Sequence, residues 1–218
     1  MAERFDLIVF DWDGTLMDSA GAIVHAMQAA TRDLGLAELH EERARYVIGL
    51  GLGDALRHAV PDLDEASYPR MVERYRHHYL SSDHELSLFD GIAELIAALA
   101  ARGHLLAVAT GKSRIGLDRA LGHTGLGGYF HATRCADECF SKPHPAMLEE
   151  LMDELGAAPE RTLMIGDTTH DLQMARNART AGLAVAFGAH PLAALEAESP
   201  LACLHTPREL ASWLLANA

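Results

Sequence analysis

The sequence predicts an α/β fold, a Rossmann-like parallel sheet core with a small α-helical cap domain inserted near its start. Three observations carry this reading. Short apolar runs alternate with helical patterns along the chain. The first run, residues 5–10, is apolar apart from Asp6, as in a strand buried on both faces. Roughly ninety residues then separate that run from the next clear one, where a crossover needs only about a dozen residues plus its helix.

Taken in order, residues 5–10 form the first strand and end at Asp11. The excess connection, residues 16–87, holds amphipathic helical stretches at 20–34, 41–47, 54–58 and 66–80 and no strand pattern, which marks the cap. The core is then 1–15 together with 88–218. Within it, apolar runs predict strands at 105–110, 162–166 and 183–188, with weaker ones at 129–135 and 201–205. Helical periodicity fills the intervals at 91–102, 115–121, 145–155 and 172–178. Gly103 suits the residue that ends the 91–102 helix. The run Thr206-Pro207-Arg208-Glu209 combines an N-cap hydroxyl, a proline at the first helical position and an acid at the third, so a last helix starts there. Strands alternating with helices imply a parallel sheet covered on both faces.

The 218 residues carry a formal net charge of −13. That argues against sequence-independent nucleic-acid binding, which needs a basic face to displace counterions. It leaves room for a small anionic ligand in a locally positive or metal-filled site. No apolar run approaches the ~20 residues of a membrane span, and the N-terminus has no secretory pattern. Cys135, Cys139 and Cys203 are an odd set without a second pair for zinc, and read as reduced thiols. A cytoplasmic protein, a monomer or weak homodimer, is expected. One further count is pointed: sixteen arginines stand beside only two lysines, Lys112 and Lys142. Those two positions suggest places that want a compact ammonium instead of a planar fork.

The chemistry gathers at strand ends. Asp11 and Asp13 close the first strand and are followed by Gly14 and Thr15; ligands of open α/β sheets bind along that edge. Two carboxylates so spaced can serve one centre, one as nucleophile and the other as general acid and base. Thr110-Gly111-Lys112 closes the 105–110 run, and a hydroxyl, a glycine amide and an ammonium suit a phosphate. A helix N-cap is the plain alternative for Thr110. Lys142 precedes the helix near residue 145, where a solvated lysine would be ordinary. Asp167 and Asp171 follow the 162–166 strand and suit a hard divalent cation, although Asp171 also suits the first turn of a helix. Singly, each has a bland explanation. Jointly they place four acids, a hydroxyl and both lysines on one edge of one sheet.

At this point the sequence resembles the haloacid dehalogenase superfamily. Asp11-Trp12-Asp13-Gly14-Thr15-Leu16 with Asp18-Ser19 looks like its first motif, Thr110 the second, Lys142 the third, and Gly166-Asp167 with Asp171 the fourth. The helical insertion resembles the cap of the phosphoglycolate-phosphatase and β-phosphoglucomutase branch. The resemblance implies a phosphatase acting on a small phosphorylated metabolite, with Asp11 forming an aspartyl phosphate and Asp13 as general acid and base. It implies Mg²⁺ held by the Asp11 carboxylate, the Asp13 backbone carbonyl and Asp167, with Asp171 in support. Thr110, Gly111 and Lys142 would bind the phosphoryl oxygens. The loop Ile48-Gly49-Leu50-Gly51-Leu52 looks like the substrate-facing cap loop, with Gly49, Gly51 and Leu52 as contacts; Arg45 and Arg57 nearby suit a substrate carboxylate or second phosphate, or are plain solvated helix charges.

Asp13 weighs against a dehalogenase, which has no leaving alkoxide to protonate. A phosphomutase needs both aspartates too and stays open, as does a phospho-ligand binding module on the same fold. One departure stands out: relatives of this type end the helix after the fourth motif with Asn-Ala-Gly, whereas this chain reads Asn177-Ala178-Arg179. His170 is singled out because it lies between Asp167 and Asp171.

Overall fold

Strand β1 (Leu7–Phe10) is apolar throughout and fully buried, and the sheet is built outward from it. The computed structural model describes residues 4–218. In chain order the other strands are β2 (Leu105–Thr110), β3 (Ala132–Cys135), β4 (Thr162–Gly166), β5 (Ala181–Val185) and β6 (Cys203–Leu204). All pair in parallel, in the order β3-β2-β1-β4-β5-β6. Phe10 is level with Val108 of β2 and Ile165 of β4. The residues just beyond those three therefore reach one edge together.

Alternate side chains of β1 point to opposite faces. Ile8 and Phe10 pack with α5 (Ile92–Ala101), α6 (Arg114–Thr124) and α10 (Pro207–Asn217), through residues such as Ile96, Leu117 and Leu210. Leu7 and Val9 pack with α7 (Ala146–Leu155) and α8 (Thr169–Asn177), through Met147, Leu151 and Met174. Each such apolar side chain contributes roughly 1.5–3 kcal/mol on burial. The short α9 (Leu192–Ala197) seats Leu195 beside Ala184 and Leu172.

Between β1 and β2 the chain forms α1 (Ala20–Asp33), α2 (Glu41–Tyr46), α3 (Leu52–Ala59) and α4 (Tyr68–Ser82). These share a second apolar cluster that includes Val24, Met27, Leu56 and Met71. The chain leaves and re-enters the core side by side, with Asp18 N donating to Ser87 O and Phe89 N to Leu16 O, each at 3.0 Å. Among the described residues no helix is long and apolar enough to cross a membrane.

Most expected elements form, with shifted bounds. Strand β5 begins two residues early and ends at Val185, because residues 186–190 curl over the sheet edge and Ala189 N donates to Asp167. Residues 127–129 wind into a 3₁₀ turn, which delays β3. Helix α8 starts at Thr169 because Thr168 and Asp171 close a capping box. Thr206 caps α10 as its sequence predicts, accepting from Glu209 N at 3.1 Å.

Arg179 keeps the turn that the missing glycine put in question. Its φ is 60°, and Thr180 N donates to Ala175 O at 2.9 Å, so the helix still closes with a left-handed residue. A side chain at that φ is strained. Arg179→Gly is expected to raise unfolding free energy by about 1 kcal/mol, read as a higher urea midpoint at unchanged slope. An unchanged or lower midpoint would show that the arginine carries no such strain.

Candidate active site

Three buried carboxylates and one buried ammonium meet where β1 and β4 end. Asp11 leaves β1 with its N–H given to Ile165 O at 2.9 Å, so its side chain is held at the sheet edge. Asp167 follows β4. It accepts from Thr15 Oγ1 at 3.0 Å and from Ala189 N at 2.7 Å. Asp171 spends Oδ2 on Thr168, accepting from its Oγ1 at 2.6 Å and its N at 3.1 Å. Lys142 Nζ lies 2.8 Å from Asp11 Oδ1 and 2.6 Å from Asp171 Oδ1, with all three side chains sealed from solvent. Gly14 sits at φ 82°, and a Cβ there would collide with the Asp167 carboxylate.

The charge does not balance, since one ammonium faces three acids. Burial pushes the Asp11 carboxyl well above the usual range, against the pull of Lys142 and with Asp171 and Asp167 adding to the rise. Burial, with Asp171 beside it, pushes Asp167 up to about 7. Burial opposes charge on Lys142, but Asp11 and Asp171 outweigh it, and its pKa lies above that of an ordinary lysine. Asp11 Oδ2 is buried without a hydrogen-bond partner among the described residues. Asp11, Asp167 and Asp171 each offer an oxygen within 4.8 Å of the others. An oxygen-only donor set with excess negative charge and an orphaned oxygen fits a hard divalent cation.

Asp13 is turned away from this cluster. Its Oδ1 accepts from Ser19 Oγ at 2.7 Å and from Lys112 Nζ at 3.1 Å, and its Oδ2 lies 3.2 Å from the same ammonium. Lys112 also donates to Tyr79 Oη of α4 at 3.0 Å. Asp11, Asp13, Thr110 and Lys112 line one side of a cavity of about 850 Å³, and side chains of α1, α3 and α4 line the other.

The helical insertion meets the core at the same edge. Gly51 N donates to Ser141 Oγ at 2.9 Å, and Gly49 takes φ 90° against Thr168. Gly111 is the crossing point. A Cβ there would lie 2.6 Å from Gly49 O and 2.5 Å from Leu50 O, so backbone passes over backbone. Tyr46 O takes hydrogen bonds from His170 Nε2 at 2.7 Å and His190 Nε2 at 3.0 Å. The Tyr46 ring stacks on His190 at 5.5 Å. Thr169 N donates to His190 Nδ1 at 3.1 Å, which leaves the proton on Nε2. Burial depresses both histidines, so both stay neutral donors.

Several expectations change with this geometry. Arg45 does not face the cavity; it pairs with Glu41 at 2.7 Å, the neighbour one helical turn away. Arg57 reaches the cavity wall but pairs with Asp54 at 2.7 Å. Gly111 lines the cavity and also lies against the insertion. His170 points at Tyr46 instead of joining the acids. Leu52 lines the cavity, and Thr110 lines it from the end of β2. Tyr79 and His190 carried no signal in the sequence, since a helix tyrosine and a loop histidine look like ordinary surface.

Comparison with known proteins agrees with the fold. The model of the haloacid dehalogenase-like hydrolases matches residues 8–185. The chain is 37% identical over 210 residues to the Dickeya dadantii protein named "Probable phosphatase IndB", covering 94% of this chain and 91% of that one. It is 32% identical over 188 residues to the phosphoglycolate phosphatase of Agrobacterium fabrum, covering 84% and 81%. The crystal structure of a hydrolase from Pseudomonas syringae shares the fold at a TM-score of 0.88 and 24% identity, covering 97% of this chain and 98% of that one. The chain belongs to the haloacid dehalogenase-like hydrolase family. It is an enzyme of the phosphoglycolate-phosphatase-like branch.

A stability test follows from the charge imbalance. With Asp167 at about 7 in the fold against an ordinary 3.8, the metal-free native state holds more protons than the unfolded chain between those values, so stability falls as pH rises through that window. In chelator, the melting temperature is expected to drop from pH 4.5 to 7.5. Millimolar Mg²⁺ should restore it, by ~2.7 kcal/mol at hundredfold saturation. Asp167→Asn should flatten the slope and lose the Mg²⁺ response. A melting temperature that climbs with pH in chelator would contradict this.

Proposed function

We propose that the protein is a Mg²⁺-dependent phosphatase that hydrolyses a small phosphate monoester, of the 2-phosphoglycolate kind, through an aspartyl phosphate on Asp11. The observation that carries the reading is the unpartnered Oδ2 of Asp11, a buried carboxylate oxygen at the cavity wall beside Lys142 and the Asp167 carboxylate. Residues 16–87 act as a cap over the core of 1–15 and 88–218, with Gly49, Gly51 and Leu52 on its substrate side.

A phosphate monoester dianion repels an anionic nucleophile, so Asp11 needs cations around it. Lys142 supplies one. Asp11, Asp167 and the Asp13 carbonyl would hold Mg²⁺, with Asp171 in support, and the ion would neutralise charge on the phosphoryl oxygens. Thr110 offers its hydroxyl to a phosphoryl oxygen. An Asp11 oxygen bonds to phosphorus while the ester P–O bond breaks, and the leaving oxygen takes its proton from Asp13. Water then attacks phosphorus and gives a proton back to Asp13, the bond to Asp11 breaks, and inorganic phosphate leaves. Asp13 lines the cavity away from the acid cluster, which supports its role toward the leaving group. The named activity of the Agrobacterium fabrum relative supports the substrate class.

Asp11→Asn is expected to abolish Mg²⁺-dependent turnover of p-nitrophenyl phosphate. Asp13→Asn should lower kcat for alkyl phosphates by about 10²–10⁴-fold. Near-normal turnover by Asp11→Asn would end the covalent mechanism. Wild-type protein that binds Mg²⁺ and turns over no ester would favour a phospho-ligand binding role.

A further inference from the structure

Lys112 has no task in that mechanism, yet it occupies the acid the mechanism needs. Its Nζ sits 3.1 and 3.2 Å from the two oxygens of Asp13, and Ser19 Oγ takes Oδ1 as well. A carboxyl that is to protonate a leaving oxygen must turn one oxygen toward it. With Lys112 in place, both oxygens of Asp13 accept from its ammonium, and an ion-paired carboxylate has no proton to give a leaving oxygen. The ammonium has to move before the ester bond can break with Asp13 as acid.

Moving it is costly without a replacement. Both side chains are nearly sealed, at 11% exposed for Lys112 and 10% for Asp13, and breaking a buried pair leaves both charges uncompensated. The other acids of the cavity wall are already engaged: Asp83 pairs with Arg119 at 2.8 Å, Asp54 with Arg57 at 2.7 Å, and Asp137 accepts from Arg114 N at 2.9 Å. An anion that arrives with the substrate is therefore the natural exchange partner. Tyr79 Oη remains 3.0 Å from the ammonium and can hold it during the exchange, since an ammonium has three donors.

We propose that Lys112 is an ion-pair lock on Asp13, opened by a carboxylate that the substrate carries close to its phosphate ester. The lock rests on the phosphatase reading and deepens it. Lys112 then selects phosphorylated hydroxy acids over phosphate monoesters that lack a carboxylate. A carboxylate on the carbon next to the ester takes the ammonium, and Asp13, no longer paired, takes a proton from solvent water and gives it to the leaving oxygen. An ester without a carboxylate must break the pair unaided. Removing Lys112 has opposite consequences for the two kinds of substrate, which a merely structural lysine would not show.

The test compares 2-phosphoglycolate with 2-hydroxyethyl phosphate, which replaces the carboxylate by a hydroxymethyl group and also leaves as an alkoxide. Wild-type enzyme with Mg²⁺ should prefer the carboxylate ester. In Lys112→Met, kcat/KM for 2-phosphoglycolate should fall roughly 30-fold, as for loss of a charge-assisted hydrogen bond. Turnover of 2-hydroxyethyl phosphate should rise. Lys112→Gln, which keeps a hydrogen-bonding side chain without the charge, should cross over in the same direction, and Lys112→Arg should recover part of the preference. Equal losses on both esters in Met and Gln variants would overturn the lock, leaving Lys112 as support for Asp13. Wild-type enzyme that turns over p-nitrophenyl phosphate but does not favour the carboxylate ester would overturn it too. p-Nitrophenolate leaves without a proton, so inactive wild-type protein on that ester sinks the phosphatase reading itself instead.

Discussion

Everything at the sheet edge is arranged around one electrostatic problem: Asp11, Asp167 and Asp171 are buried together against the single ammonium of Lys142. Isolated buried charges cost several kcal/mol each even after relaxation, so such a cluster draws stability from the rest of the fold. The local structure is shaped to contain it. Thr15 and Ala189 each give Asp167 a hydrogen bond, and Thr168 gives Asp171 two. Side chains are excluded where the carboxylates lie: a Cβ on Gly14 or Gly188 would strike Asp167, and one on Gly166 would strike Asp171. The parallel sheet makes the arrangement reachable, because only parallel strands bring β1, β2 and β4 to the same edge with their C-terminal ends aligned.

Containment of charge also ties the helical insertion to the core. The same loops that carry the acids carry the contacts to the insertion: Thr168 crowds the place a Gly49 side chain would take, Ser141 beside Lys142 accepts from Gly51, and His170 and His190 both donate to Tyr46 O. Gly111 lets two backbones cross where any side chain would force them apart. The consequence is a cavity walled by both parts, with buried acids at its edge whose charges interact strongly. In the proposed reaction, this is where a cation beside Asp11 has its largest effect.

Legibility in the sequence follows the range of the interactions. β1, β2 and β4 could be read because their signal is local, an apolar run ending in a polar residue. β5 was misplaced by two residues because Ala181 and Gly182 are poor strand formers, held in place by Leu163 and Met164 of β4 rather than by propensity. Lys142 could be singled out only by rarity, and nothing local says that its ammonium reaches two carboxylates across the sheet. Arg45 misled for the converse reason: a cation near a suspected loop looks functional, while Glu41 four residues earlier offered the simpler partner. The contact between Lys112 and Asp13, 99 residues apart, had no precursor in either segment.

The two lysines of this arginine-rich chain divide the charge of the site between them. Lys142 stands between two carboxylates at 2.8 and 2.6 Å, a gap that suits a compact ammonium better than a planar guanidinium. Lys112 sits at the cavity wall with one carboxylate and one hydroxyl. An arginine clamped bidentate on Asp13 would hold it in a fixed planar geometry. An ammonium on a flexible stem makes a point contact and can pass from one oxygen to another while keeping a third partner. In the proposed reaction the fixed cation faces the nucleophile, whose geometry must not change, and the movable one faces the acid, which has to be released as the leaving group arrives.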